Sequence, residues 1–546
     1  MRPLKPLALA LLLALVPSGG APALAQPSSP SFEPIRMTAN MSIQEHGGMI
    51  PGLYWEDRII PVYEPASGGV WYPRLLFTRK GTLLCAFDSN EDGGRSRIKL
   101  VTSLDEGLVF SESRTAAALE GLDCANPALV ELADGSLLLA YRANAMREDG
   151  YYSSIRASVS HDGGATWEGH SLIAEEFGRG GVYEPHFGFI GERLAVFYAN
   201  DSLNVVEEGS QQLILFKLLE NGAWGEALIA SDGVKNRSRD GMPVWTKMAD
   251  GRYALVIEAT NVPGHPFVIQ MTISPDGLNW NEGNRDIYIP YMQGKKAGAP
   301  YILTLPDGRL AVAFQTDDEA ARTGDGASYM KVMVSTDPGK EGASFSEPFI
   351  PFLMPEGHCA NWNALQVQGE VLYAVTSANY PRSGVYLRRA YLTPRARQGV
   401  NLLTNGDFRL RNNQGWSIIQ SGRTYHAAFG AKRFEVDGDY TALTLLNLKP
   451  GPLELRQEIP GLMAGAYRFS LRVKGDGEKA ITLRIEQGDQ SAEFSFVPGQ
   501  EMKDAEITGI SLRSGPARLR LIQAEGLREM SVTNLKLEWL GEEGAQ

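Results

Sequence analysis

Only three cysteines and seven histidines occur in 546 residues, and that scarcity removes several kinds of protein at once. Cys85, Cys124 and Cys359 are odd in number and far apart, which excludes a disulfide framework and a CxxC metal pattern. Whether two of them pair is left open by the sequence. The histidines are scattered with no HExxH-type spacing, so neither a catalytic zinc nor any other cofactor is expected. The strongly apolar run Leu7 to Val16 has ten residues, too few to cross a bilayer as a stop-transfer helix. Basic charge is also short. Removing Arg2 and Lys5 with the first 25 residues leaves 50 Lys and Arg against 64 Asp and Glu, a net charge of −14. Such a surface suits neither nucleic acid nor an anionic membrane.

What is present begins with a targeting pattern. Arg2 and Lys5 precede the apolar run, and Ala23-Leu24-Ala25 supplies a small-x-small cleavage site. Residues 1–25 therefore read as a signal peptide cut after Ala25, placing the mature protein in the periplasm or outside the cell. Residues 26–56, opening on the Pro/Ser-rich stretch Gln26 to Ser31, read as a spacer. A repeat then runs from residue 70 to 390: turn, proline, apolar strand, Asp-Gly-like turn, second apolar strand ending in a polar residue. Its prolines are Pro73, Pro127, Pro185, Pro243 and Pro300, spaced 54, 58, 58 and 57 residues apart, and a sixth copy without proline begins near Asn361-Trp362. Regular β-type units at this period predict a radial repeat, a β-propeller. The last unit has room for three strands, so a strand over residues 57–63 is expected to complete it and close a ring of six blades over residues 57–395. A seventh blade would need a further unit that the chain does not offer.

The outer half of most units carries a second signal. Ser160-His161-Asp162-Gly163-Gly164-Ala165-Thr166-Trp167 has weaker copies at Ser103 to Phe110, Ser274 to Trp280 and Ser335 to Phe345. The Asp accepts turn amides, the Gly takes positive φ and the aromatic staples the hairpin. These turns resemble the Asp box of sialidases and other BNR-repeat proteins, which implies a sialidase-like propeller. After a linker at 396–400 the repeat stops. Asn401-Leu402-Leu403-Thr404-Asn405-Gly406-Asp407-Phe408, Gly415-Trp416 and alternating strands such as Tyr467 to Val473, Ala480 to Ile485 and Ala517 to Ile522 follow. Residues 401–546 resemble family 4/9-type carbohydrate-binding modules, which implies a jelly-roll β-sandwich. The expected fold is thus all-β throughout.

Register locates the chemistry. In a four-stranded blade the start of strand one and the end of strand two share one face of the ring. Glu184 begins strand one of blade three and Glu258 ends strand two of blade four, so both are expected at one channel mouth, while the Asp boxes lie on the far face. The same fifteen-residue offset from each proline position gives Asp88, Arg142, Asn200, Glu258, Gln315 and Thr376, a polar residue from every blade. Trp71, Tyr72, Tyr183, His186, Tyr198, Trp245 and Trp362 flank them, with Asn126 at the position matching Glu184 and Tyr380 on a nearby loop. Polar groups that fix hydroxyls and aromatic faces that cover a ring suit a sugar. Two carboxylates in such a pocket are what glycoside cleavage needs. A polysaccharide or oligosaccharide substrate and a monomeric protein are the expectation.

Val182-Tyr183-Glu184-Pro185-His186-Phe187 with Leu194 to Tyr198 and Asn200-Asp201, and Arg239-Asp240-Gly241-Met242-Pro243-Val244 running to Glu258, resemble consecutive blades of family 93 glycoside hydrolases. The resemblance covers residues 55 to 395. It implies a six-bladed propeller acting as a retaining exo-α-1,5-L-arabinanase, with the catalytic pair on Glu184 and Glu258. Of the two, Glu258 is favoured as nucleophile and Glu184 as acid/base, with Arg142 and Asp88 on substrate hydroxyls. Competing readings are a sialidase, for which Arg142 and the inward-pointing blade residue Arg74 fall short of an arginine triad, a non-catalytic glycan-binding propeller, and a polysaccharide lyase using His186.

Overall fold

A computed structural model describes residues 35–41, 52–91, 93–206, 210–335, 345–395, 397–420, 423–424, 430–438, 440–448 and 450–542. The expected signal peptide lies outside the described residues, as does most of the fourth Asp box.

Second strands of the repeat, such as Leu83–Ser89 and Tyr253–Ala259, are buried along their whole length. A strand that is apolar on both faces must be covered on both, and stacking the units side by side around an axis does this. Blade one is built from Val70–Phe77, Leu83–Ser89, Arg97–Ser103 and Arg114–Ala117; blade two from Asp123–Glu131, Leu137–Arg147, Gly150–Ser160 and Glu168–Gly178. Blade three has Val182–Ile190, Arg193–Asn200 and Leu213–Glu220, with Ala223–Trp224 and Leu228–Asp232 both paired to the third strand. Blade four has Gly241–Lys247, Tyr253–Ala259, Val268–Ser274 and Arg285–Tyr288. Blade five has Ala297–Thr304, Leu310–Thr316 and Tyr329–Val334, the last bridged outside by Phe345 and Phe349. Blade six has Ala360–Gln368, Val371–Ala378 and Gly384–Tyr391, and Tyr54–Tyr63 pairs with the last of these, closing the ring.

Each first strand breaks its ladder at one place. The break falls at Trp71/Arg74, Ala125/Ala128, Tyr183/His186, Gly241/Val244, Gly298/Tyr301 and Asn361/Ala364. Within it Tyr72, Asn126, Glu184, Met242, Ala299 and Trp362 all take left-handed backbone, φ 48 to 58°. Five are followed by proline, which has no N–H to give a ladder and fits a bulge. Left-handed backbone costs a side-chain-bearing residue about 1–2 kcal/mol, so its six-fold recurrence marks a constraint of the architecture. The bulge turns each of these side chains to the axis: Tyr72, Met242, Ala299 and Trp362, from four blades, form one cluster.

Residues 26–56 are more than the expected spacer. Ile35–Met41 adds a parallel edge strand to the C-terminal sandwich beside Lys503–Leu512, and the ring-closing strand begins at Tyr54. The sandwich has two six-stranded sheets, and strands such as Gly465–Lys474 alternate buried and partly exposed residues at every step around a single apolar core. It is fastened to the propeller. The Leu53 N–H donates to the Pro460 carbonyl at 3.0 Å, the Met354 N–H to Gln414 Oε1 at 2.9 Å, and Asn412 Nδ2 returns to the Met354 carbonyl at 2.7 Å. All three cysteines are unpaired.

Candidate functional site

The bulges expose backbone N–H groups at the channel, and side chains of the preceding blade take them up. Asp88 accepts from the Asn126 N–H at 3.3 Å, Glu258 from Ala299 at 3.0 Å and Gln315 from Trp362 at 2.8 Å. In each pair a strand-two terminus clasps the next blade's bulge. Blade three departs from the pattern, and the reason lies at the far end of its hairpin. Its turn, Gly191-Glu192, has two residues where four other blades have five, while each strand runs on by one, so the hairpin is one residue shorter overall. Tyr183 consequently faces Ala199, where Gly241 faces Glu258 and Trp71 faces Asp88. Asn200 therefore leaves the rim: its amide donates to Glu176 at 3.0 Å and its oxygen accepts the Ser202 N–H at 2.9 Å. The same short turn in blade six, Gly369-Glu370, puts Ser377 opposite Asn361; Thr376 misses the rim because its fifteen-residue offset starts from Asn361, two residues before Asn363, which follows the bulge residue Trp362 as the prolines follow theirs. Alanine cannot clasp the next bulge. Glu184, itself a bulge residue, accepts from the Met242 N–H at 3.1 Å instead. The two glutamates thus hold matching amides of successive blades.

Glu258 is further fixed by Arg239, whose guanidinium lies 2.8 Å from Oε1 and 5.6 Å from the Phe267 ring. Glycines make the room. A Cβ on Gly298 would stand 2.6 Å from Glu258 Oε2, and one on Gly241 3.2 Å from Oε1. Burial raises the Glu184 carboxyl to about 6; Arg239 and Arg142 oppose that shift and the Glu258 charge adds to it. Burial also raises Asp88 to about 7, against the pull of Arg142. Arg239 was not among the expected site residues, although it stands in the quoted Arg-Asp-Gly-Met-Pro run, four residues before Pro243.

Other expected residues divide sharply. Tyr72 and Trp362 meet over the axis with ring centroids 6.2 Å apart, and Arg74 lies 3.8 Å from the Tyr72 ring. Arg74 is therefore inside the central channel and not inside its blade; its guanidinium donates to the carbonyls of Pro73 and Asn363. His186 packs edge-on to Tyr301 across the channel at 5.8 Å, and burial, with Arg74 adding to it, lowers its pKa to about 3, which keeps it neutral. Tyr183 lies beside Arg142, 5.5 Å from its guanidinium, and burial and neighbouring Asp201 hold its phenol well above the usual range. Asn126 keeps a buried Oδ1 without a partner among the described residues. Gln315 spends both ends of its amide, on Trp362 and on Asp325. Trp245 does not face the channel: it is 4% exposed, packed on Phe197 and Tyr253 between blades three and four, in space left by Gly188. Tyr198, also expected beside the rim, is likewise core at 2% exposed. Tyr380 is on a loop of the mouth face, against His358.

The Asp-box aspartates are saturated by their own turns. Asp162 accepts from Ser160, from the Thr166 N–H at 2.9 Å and from its hydroxyl at 2.6 Å, which holds its carboxyl down at about 2. Among the described residues of the sandwich, Trp416 is core, and the exposed large apolar side chains are Val436, Leu448, Val497 and Leu540, none aromatic. One outer face carries ion pairs, among them Arg520 with Glu454 and Glu486 and Arg518 with Glu458. An aromatic platform for stacking sugars is absent among the described residues.

No family model matches the chain, and no curated protein matches it. Solved structures do. The chain is similar to the α-L-arabinofuranosidase of Fusarium graminearum in complex with an iminosugar inhibitor, at 18% identity and a TM-score of 0.50, over 63% of this chain and 98% of that one. A protein of unknown function from Dyadobacter fermentans matches at 13% identity and 0.50, over 63% and 100%. The α-L-arabinanase of Penicillium chrysogenum complexed with arabinobiose gives 20% and 0.49, over 62% and 98%. At such identities the likeness speaks for the fold. The chain is an all-β protein whose larger part is a six-bladed, sialidase-like β-propeller.

Proposed function

We propose that the protein is a retaining, exo-acting glycoside hydrolase for α-L-arabinan or a related plant polysaccharide, working outside the cytoplasm. The observation that carries this is the pairing of Glu184 and Glu258 on matching amides at one mouth, with one of them ion-paired and the other carrying a raised pKa. Glu258, ion-paired and fixed by two donors, is the nucleophile. It attacks the anomeric carbon while the bond to the glycosidic oxygen breaks, and Glu184 gives that oxygen its proton. Glu184, now a carboxylate, takes a proton from water, whose oxygen attacks the same carbon and releases Glu258. A carboxyl titrating near 6 suits both halves of that cycle. A propeller of the same fold is an α-L-arabinofuranosidase, which supports the choice of sugar. A sialidase would need an arginine triad at the mouth, yet Arg239 is occupied by Glu258 and Arg74 by backbone carbonyls deeper in the channel.

Glu184→Gln and Glu258→Gln should each lower kcat/KM on arabino-oligosaccharides by about 10²–10⁴-fold with the fold intact. On an aryl glycoside with a good leaving group, Glu184→Gln should still release a burst of phenol and Glu258→Gln should not. Normal turnover by either variant overturns the assignment, and a first product of inverted configuration by NMR overturns the retaining mechanism.

A further inference from the structure

We propose that Arg142 is a carboxylate-binding residue, so that the sugar seated beside Glu184 carries an acid group, as a uronic acid does. This rests on the reading of the mouth as a glycosidase site and moves its substrate from arabinan itself to a related plant polysaccharide that carries uronic acid.

Arg142 ends strand two of blade two, and the bulge register sets it opposite Ala125, at the rim. Its neighbours there are Asp88 of blade one and Tyr183 and Glu184 of blade three. At the four other rim positions that carry a polar side chain, that side chain is occupied. Asp88, Glu258 and Gln315 clasp backbone amides, and Ser377 donates to the Asn361 carbonyl at 3.0 Å. Arginine can only donate, so it cannot join the clasp. Its Nε is buried and has no hydrogen-bond partner among the described residues, and none of its nitrogens is in an ion pair there. Buried donors in folded proteins are satisfied as a rule, and leaving one open is costly. That Nε is sealed from solvent, but the Nη groups of the half-buried side chain have no partner among the described residues either, and at a channel mouth a ligand supplies their acceptors.

The kind of acceptor follows from shape and charge. A guanidinium is a planar fork that matches a carboxylate with two parallel bonds, and it stays charged. The acids nearest to it do not fill that role: Asp88 and Glu184 direct an oxygen each to the amides of Asn126 and Met242. Arg239, beside Glu258 at the mouth, is already neutralised by it. Burial biases Asp88 toward its neutral form, which leaves the charge of Arg142 less balanced. A neutral pentose offers hydroxyls alone and would leave it so. The Tyr183 ring flanks the guanidinium at 5.5 Å and keeps that side of it apolar.

The test is calorimetric binding of D-galacturonate and D-glucuronate against D-galactose, D-glucose and L-arabinose to the whole protein, to Glu184→Gln and to Arg142→Gln. At least one uronate should bind about tenfold or more tighter than its neutral parent, the scale of one charge-assisted pair. The preference should persist in Glu184→Gln, vanish in Arg142→Gln, and fall partway in Arg142→Lys, which keeps the charge and loses the fork. Uronates binding no tighter than their parents to the unaltered protein, or an undiminished preference in a folded Arg142→Gln, overturns the proposal. A uronate preference in a protein that hydrolyses no oligosaccharide would overturn the glycosidase reading and leave this one standing.

Discussion

Replacing Asp88 by asparagine should make the protein more stable at alkaline pH and leave it unchanged in acid. Asp88 is 6% exposed and its carboxyl is raised from 3.8 to about 7, burial outweighing Arg142. Between about pH 4 and 7 the folded chain therefore keeps a proton that the unfolded chain has lost, and stability falls as pH rises. Below 4 both states hold the proton; above 7 neither does, and the full cost of a buried charge is present. Three pH units at about 1.4 kcal/mol each set a ceiling of about 4 kcal/mol. Solvent reaching the mouth lowers this, so about 2–4 kcal/mol is expected. Asparagine keeps the oxygen that accepts the Asn126 N–H at 3.3 Å, so the clasp survives while the ionisation goes. Glu184 titrates in the same sense in both proteins and cancels from the difference. Urea midpoints followed by tryptophan fluorescence at pH 4, 6 and 8 measure the effect. Parallel curves for the two proteins, or a variant less stable at pH 8, would refute the reasoning.

Two more expectations concern the glutamates. Gly298→Ala should leave the urea midpoint nearly unchanged but lower kcat/KM at least about tenfold, because its Cβ would lie 2.6 Å from Glu258 Oε2; full activity in that variant would show that Glu258 need not hold its position. With Glu184 raised to about 6 and acting first as an acid, kcat/KM should fall about tenfold per pH unit above that value. A profile flat to pH 8 would remove Glu184 from the proton-donating role.

The propeller was legible because its repeat is written in proline and glycine. Five of the six bulges take a residue without an N–H, and the five-residue turn needs Gly81, Gly135, Gly251 or Gly308, each eight positions after the repeat proline. The departure of Asn200 from the rim, and the arrival of Ser377 at it, were legible too, in a place the polar pattern does not inspect. Gly191 and Gly369 come six positions after Pro185 and Asn363, and that shift announces the shorter hairpins. Trp245 was taken for a channel aromatic because its rank in the strand is close to that of the bulge. Beyond a bulge the alternation restarts, and a tryptophan there packs between blades. Arg239 escaped because its part is played before the strand begins, at a point no periodicity marks. The edge strand Ile35–Met41 escaped because its partners are some 470 residues away in the sandwich, and pairing over that distance leaves no local sign.

The two-residue turn Gly191-Glu192 gives the propeller a lever. It sits on the face opposite the two glutamates, yet its length decides which residue of the following strand arrives at their face. There Ala199 replaces a clasping side chain, and Glu184 is drawn onto the vacant amide. A change at that turn which restored the longer hairpin would exchange the residue at the mouth without touching the mouth. Engineering of the site can thus be written in turns: keep every rim codon, alter a hairpin length, and the same sequence deals a different hand of side chains to the substrate.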